Sequence, residues 1–347
     1  MKDIGEPAGR PATIKDVAAH AGVSVATVSA VINNNKYVSP DLSHRVQESI
    51  TALGYERNSL AQGLKKHTSQ TIGLIISDIT NPFFTSIVRG VEDVANARGY
   101  SLILGNTDEN LQKEMSYMRL LESKRVDGLI VAATLGNHEY LRSWPAHWLP
   151  VVSIDRLPED VSIDAVLVDN VAGARQAIEH LIALGHERIG IVTGLSGIIT
   201  TEERLTGYQQ ALETHGIPLD PALIAEGNSR IDGGERGALQ LLTQEASRPT
   251  ALFVTNGLMV IGALQALNRV GLHCPQDMAL VGFDDFEWAA VMHPRLTTVR
   301  QPTYEIGQKA AQLLFERLEK RDAAPQIVRL ESRLIIRESS GAALQAS

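Results

Sequence analysis

The chain has 347 residues, 44% hydrophobic and 21% charged, with a formal net charge of −8. That length suits two or three domains and leaves ample apolar material to bury, which excludes disorder as the main state. No apolar stretch approaches the roughly 20 residues of a membrane span, the N-terminus has no apolar signal region, and one cysteine, Cys274, allows neither an internal disulfide nor a multi-cysteine zinc site. A reducing cytoplasm is the expected home, with no membrane partner. The charge is uneven: residues 1–70 carry eight Lys/Arg against six Asp/Glu, the remainder 24 against 34. That split favours a small nucleic-acid module on an acidic body.

Thr13-Ile-Lys-Asp16 predicts a helix start, with Thr13 as cap and Asp16 at the third position, where a carboxylate suits the exposed amides and the dipole. Ile14, Val17, Ala18 and Ala21 share one face. Gly22 permits a tight turn, and Ser24 caps a second helix over 25–33 whose inner face is Val28, Val31 and Ile32. The short connection has the length of a helix-turn-helix turn. A third helix starts at Ser39-Pro40-Asp41, carries Leu42, Val46, Ile50 and Leu53 as its stripe, and stops at Gly54. Such a trihelical unit serves equally as an ordinary subdomain. The second helix tips the balance, because Val25, Ala26, Thr27, Ser29 and Ala30 are expected outward with almost no charge. A solvated face usually carries Lys or Glu, whereas small and hydroxyl side chains suit base edges and thymine methyls in the major groove.

Thr13-Ile-Lys-Asp-Val-Ala-x-x-Ala-Gly-Val-Ser-x-x-Thr-Val-Ser29, with Val31-Ile-Asn33 and Val38-Ser39-Pro40, resembles the headpiece of the lactose-repressor (LacI/GalR) family of bacterial regulators. The resemblance implies that Thr13, Ser24, Val25, Ala26, Thr27, Ser29, Ala30 and Asn33 face double-stranded operator DNA. Ala30 stands where the family usually has an arginine that reads guanine, and it can donate no such bonds. Asn58-Ser-Leu-Ala-Gln-Gly-Leu64-Lys65-Lys66 reads by itself as a polar linker. By resemblance it is the hinge helix, in which Leu64 wedges between base steps of the minor groove and Lys65 matches a lysine associated with a central CpG step.

From residue 71 onward, strands and helices alternate. Strands are expected at 71–77, 101–105, 127–131 and 150–154, then at 165–168, 188–192, 251–254, 278–283 and near 334–336, with helices between them. Alternation of this kind predicts parallel sheets covered on both faces. The fold class expected is therefore α/β, with an N-terminal helix-turn-helix headpiece and a two-lobed, periplasmic-binding-protein-like effector domain. Its divisions are 1–57 for the headpiece, 58–70 for hinge and linker, and 71–347 for the effector and dimerisation domain. Lobe one is expected at about 71–163 plus 296–322, and lobe two at about 164–295 plus 323–338.

No catalytic signature emerges. The chain lacks G-x-x-x-x-G-K-[ST]; Gly194-Leu-Ser-Gly197 lacks nucleophile-elbow spacing; and its ten histidines are scattered without metal-ligand spacing. Neither enzyme activity, metal nor cofactor is expected. Ligands of such sheets sit at the carboxyl ends of strands, and the resemblance implies effector contacts at Phe83, Asp155, Arg156, Thr200, Arg204, Arg230, Asn256 and Asp284. Phe84 is assigned to the core and Asp285 to structure. Two departures shape the expected ligand: Gly257 replaces a common acid, and no aromatic stands near Asn228 and Ser229, where Arg230 is close by. Losing an acid and gaining a base favours an anionic ligand, so a sugar acid is expected, with a neutral sugar as the plain alternative. The reading is an allosteric transcriptional regulator, a repressor acting as a homodimer on a pseudo-palindromic operator. A solute-binding protein or an α/β enzyme without DNA function is the competing view.

Overall fold

The computed structural model describes residues 12–33, 36–55, 68–136, 138–143, 149–158, 161–244 and 248–342. The expected hinge, with Leu64 and Lys65, lies outside the described residues. The chain divides into two compact units, Met1–His67 and Thr68–Ser347.

The first unit holds α1 (Ile14–Ala21), α2 (Val25–Asn33) and α3 (Pro40–Ala52). Thr13 and Asp16 close a capping box: the Thr13 amide donates to Asp16 Oδ2 at 2.8 Å, and the Asp16 amide to Thr13 Oγ1 at 3.4 Å. Gly22 ends α1 at φ 64°, and Ser24 Oγ accepts from the Thr27 amide at 3.1 Å to start α2. The two helices meet at 105°, inside the range of helix-turn-helix motifs. Val17, Ala18, Ala21, Val28 and Val46 form the core, with Ile14, Val31, Ile32, Ile50 and Leu53 against it. Contrary to expectation, Ala30 does not face outward; it is 8% exposed, unlike Ala26 one turn earlier on the same helix, which is exposed.

The second unit contains twelve strands among the described residues: β1 (Thr71–Ile76), β2 (Ser101–Asn106), β3 (Gly128–Val131), β4 (Val151–Ile154), β5 (Asp164–Val168), β6 (Ile189–Thr193), β7 (Ile224–Glu226), β8 (Ala251–Val254), β9 (Ala279–Phe283), β10 (Thr297–Arg300), β11 (Ile327–Leu330) and β12 (Arg333–Ile335). They form two sheets. The first runs β11–β5–β4–β3–β1–β2, wholly parallel; the second runs β12–β10–β9–β8–β6–β7, parallel except for β12 against β10. Helices α4 (Pro82–Ala97), α5 (Leu111–Ser123), α6 (Glu139–Ser143) and α11 (Thr303–Glu319) accompany the first sheet. Helices α7 (Asn170–Ala183), α8 (Ile199–Thr214), α9 (Ile231–Leu242) and α10 (Gly257–Arg269) accompany the second.

Side-chain alternation divides each strand between two cores. Ile72, Leu74 and Ile76 pack with α4 and α11, while Ile75 packs with Met118 and Leu121 of α5 on the other face. The second sheet is likewise sandwiched, with Val192 and Val254 towards α9 and α10, and Ile191 and Phe253 towards α7 and α8. The expected lobe boundaries move. β5 and β11 belong to the first sheet, so 164–168 and 327–330 lie in lobe one; β10 lies in the second sheet, so 297–300 belong to lobe two. An apolar run such as Ala165-Val-Leu-Val168 fits a buried strand of either sheet, and hydropathy does not record which neighbour it pairs with. The chain thus crosses between lobes after β5, after β10 and after β11.

Candidate functional site

The carboxyl ends of strands from both lobes open onto one cavity, the place where parallel α/β sheets bind ligands. Phe83, Asp155, Arg156, Thr200, Arg204, Arg230, Asn256 and Asp284 all line it. The fold thus gathers, from two hundred positions of chain, the eight residues that were expected at the site.

In lobe one, Asn81 caps α4 by accepting from the Phe83 amide at 3.1 Å, which sets Phe83 at the helix start. Phe84, edge-on to Phe83 at 4.9 Å, also reaches the cavity. Asp155 follows β4 with φ 66° and is 9% exposed. Arg156 donates from Nε to Asp155 Oδ2 at 3.1 Å and forks onto Glu109 through Nη1 (3.1 Å) and Nη2 (2.9 Å). Burial opposes the charge on Arg156, but Asp155 and Glu109 outweigh it and raise its pKa. Its fork is committed within the protein.

In lobe two, Arg204 rises from the first half of α8. It donates from Nε to Asn170 Oδ1 at 2.9 Å and from Nη1 to the Thr255 carbonyl at 2.6 Å, and its guanidinium lies 3.9 Å from the centre of the Phe283 ring. Thr200 sits one turn earlier, 6% exposed. Asp284 follows β9 with φ 77°; Gln301 donates to its Oδ1 at 2.6 Å and the Gly257 amide to its Oδ2 at 3.2 Å. Burial raises the Asp284 pKa and lowers that of Arg204, although each group pulls the other back towards the charged form. Asp155 also acts electrostatically on both. Asn256 caps α10 through the Met259 amide at 3.0 Å. Arg230 is exposed at the rim, where it acts electrostatically on Asp108 of lobe one. Asp285 is structural, bound by Arg337, Arg300 and Thr298.

Seven described non-glycine residues have positive φ, and five of them line this cavity: Asp108, Glu109, Asp155, Ser229 and Asp284. Such backbone costs of order 1–3 kcal/mol per residue and gathers at binding sites. Gly257 has its own reason: a Cβ there would lie 2.0 Å from the Phe286 ring. The aromatic occupies the space an acid at 257 would need.

Behind the cavity, Glu114 of α5 is fully buried, with Oε2 accepting from the Thr134 amide at 2.7 Å. Its Oε1, the Thr134 hydroxyl and His138 Nε2 are buried without a hydrogen-bond partner among the described residues. Burial pushes the Glu114 carboxyl up to about 7 and lowers the His138 pKa.

Sequence reading missed Gln301 and Glu109. Gln301 directly follows β10, a strand not among those expected from the sequence, so the rule of strand carboxyl ends did not reach it. Glu109 meets Arg156 only through the fold, and no local signal marks it. In the first unit, Val25, Ala26 and Asn33 are exposed, and Thr27 and Ser29 are half-buried. Asn33 donates to the Ser29 carbonyl at 2.8 Å and to Ser29 Oγ at 3.1 Å. The hydroxyls of Thr13 and Ser24 are occupied in their caps.

Family models match the chain at residues 13–58, as bacterial regulatory proteins of the lacI family, and at 178–340, as a periplasmic binding protein-like domain. The ribose operon repressor of Escherichia coli (strain K12) is 37% identical over 332 residues, covering 95% of this chain and all of that protein. The HTH-type transcriptional repressor PurR of Aliivibrio fischeri (strain MJ11) is 34% identical over 330 residues, covering 94% of this chain and 98% of its own length. Among solved structures, the Lac repressor dimer bound to operator and the anti-inducer ONPF superposes with a TM-score of 0.84 at 27% identity, covering 95% of this chain and 99% of that one.

Proposed function

The chain belongs to the lacI family of bacterial regulatory proteins, and from that membership we propose a repressor that binds a pseudo-palindromic operator as a homodimer and answers to a small polyhydroxylated metabolite held between its lobes. The views of a solute-binding protein or an enzyme without DNA function fall with that membership. The observation that carries the effector reading is the convergence of Asp155, Arg204, Asn256 and Asp284, from both lobes, on one cavity. Buried carboxylates accept hydroxyl protons, and a guanidinium donates to hydroxyl oxygens.

A sugar acid needs a free cation. Arg156 is spent on Glu109 and Asp155, whereas Arg204 keeps its Nη2 and Arg230 stands at the rim. The lining holds five acids (Asp78, Asp108, Glu109, Asp155 and Asp284) against three arginines, a balance that favours a neutral sugar. Calorimetry with matched pairs, D-ribose with D-ribonate and D-glucose with D-gluconate, tests this. Binding of a neutral member is expected. Binding of acids alone, lost in Arg230→Ala, restores the sugar-acid reading, and binding of none of the four removes the simple sugars from the proposal.

For DNA, α2 is proposed as the reading helix and Leu64 as the minor-groove wedge. Selection from a random DNA library should enrich a two-fold site that Leu64→Ala binds more weakly and bends less. A strictly monomeric mass in sedimentation, with full operator affinity, would overturn the dimer.

A further inference from the structure

Arg204 owes its position to groups outside the cavity. Asn170 is the first residue of α7, two residues beyond the end of β5, and so stands at a crossing between lobes. Its side-chain oxygen accepts from Arg204 Nε at 2.9 Å, and its Nδ2 donates to Glu203 Oε2 at 2.8 Å. The other oxygen of Glu203 accepts from Arg329 Nη1 at 3.2 Å. Arg329 lies on β11 of lobe one, whereas Glu203 and Arg204 are neighbours on α8 of lobe two. Neither Asn170, Glu203 nor Arg329 lines the effector cavity; Glu203 and Arg329 face a separate gap between the lobes.

We infer that Asn170 and Glu203 are positioning residues for Arg204, and that the Glu203–Arg329 pair makes the placing of Arg204 depend on how the two lobes meet. The chemistry of the chain is directional. Asn170 has one acceptor and one donor end, and both are used, so it cannot turn over without facing two donors together and two acceptors together. The Glu203 carboxylate, with one oxygen for each partner, links the amide to the opposite lobe. Were the lobes to swing apart at this edge, Arg329 would leave Glu203, which is only 18% exposed at its side chain. Glu203 would then be held by Asn170 alone, and with it the orientation of the Arg204 fork would loosen. Two arginines from different lobes are thus coupled through one acid and one amide.

The functional half of this inference rests on Arg204 being an effector contact; the relay itself does not. A double-substitution cycle on the full chain tests the relay without ligand. No hydrogen bond joins Asn170 to Arg329 among the described residues, so independent side chains would give additive effects of Asn170→Ala and Arg329→Ala on the urea unfolding midpoint. The relay requires the second substitution to have less than half the effect it has alone, and requires that coupling to vanish in a Glu203→Ala background. Additive shifts, or coupling that survives Glu203→Ala, overturn it. In the functional arm, D-ribose and D-gluconate are the calorimetric probes. Whichever binds the parent should bind Arg329→Ala about two- to fivefold more weakly, the range of a partly exposed ion pair, with recovery in Arg329→Lys. Unchanged affinity overturns the link to the effector. If neither probe binds the parent, the sugar reading fails and the unfolding cycle still decides the relay.

Discussion

Glu114→Gln should stabilise the protein in a pH-dependent way, with a sign fixed by the structure. Glu114 is fully buried, and burial raises its carboxyl from 4.5 to about 7. Between those values the folded state keeps the proton that the unfolded chain has released, so stability falls as pH rises through the window and levels off above it. At about 1.4 kcal/mol per pKa unit, the loss is on the order of 3 kcal/mol by pH 8. Glutamine never ionises. Its oxygen can still accept from the Thr134 amide, and its NH₂ can donate to the Thr134 hydroxyl, which now has no partner among the described residues. His138 slopes the other way: burial lowers its pKa, so its contribution is lost as pH falls below the usual histidine value. Glu109 and Arg156 also act on Glu114. All three are common to both proteins, and the difference between them isolates residue 114. Urea unfolding of parent and variant at pH 5, 7 and 8.5 should show the gap widening in favour of glutamine. A gap that stays constant with pH would refute the reasoning.

Arg204→Met leaves Asn170 Oδ1 and the Thr255 carbonyl without their buried donor and should cost about 1–3 kcal/mol in thermal unfolding, with loss of effector binding by calorimetry; a wild-type melting curve would contradict the buried hydrogen bonding. Gly257→Ala should cost about 1–3 kcal/mol through overpacking against Phe286, and Phe286→Leu in the same chain should recover part of it, as read by melting temperature. Thr13→Ala should destabilise α1 by about 1 kcal/mol, the worth of a helix cap, read as faster hydrogen exchange of the α1 amides in the full chain; unchanged exchange would contradict the cap.

Local chemistry carried much of the fold into plain view. The capping box at Thr13 and Asp16, the Gly22 turn and the inner face of α2 lie within a few residues of one another, and sequence spacing is enough to read them. The alternation of strands and helices was equally plain. Strand membership was not, because β5 and β10 are chosen by hydrogen-bond partners far away in the chain. The edge strand β11 was missed since Ile327 is 58% exposed, which breaks the buried pattern.

The site divides in the same way. The family resemblance pointed to Asp155, Arg204 and Asp284; Asp155 and Asp284 follow strands β4 and β9, whereas Arg204 lies within α8. What those residues are free to do depends on partners the spacing does not announce. Arg156 looked available for a ligand carboxylate until Glu109, 47 positions away, took its fork. Gly257 looked like a lost acid until Phe286 was seen in the space beside it. A count of arginines near a cleft therefore does not by itself give the number free to meet an anion. A guanidinium already forked onto a carboxylate presents the ligand with a neutralised surface, and the acids that remain, Asp155 and Asp284, are the groups with acceptor capacity to spare. On the proposed reading, ligand hydroxyl groups would answer that need.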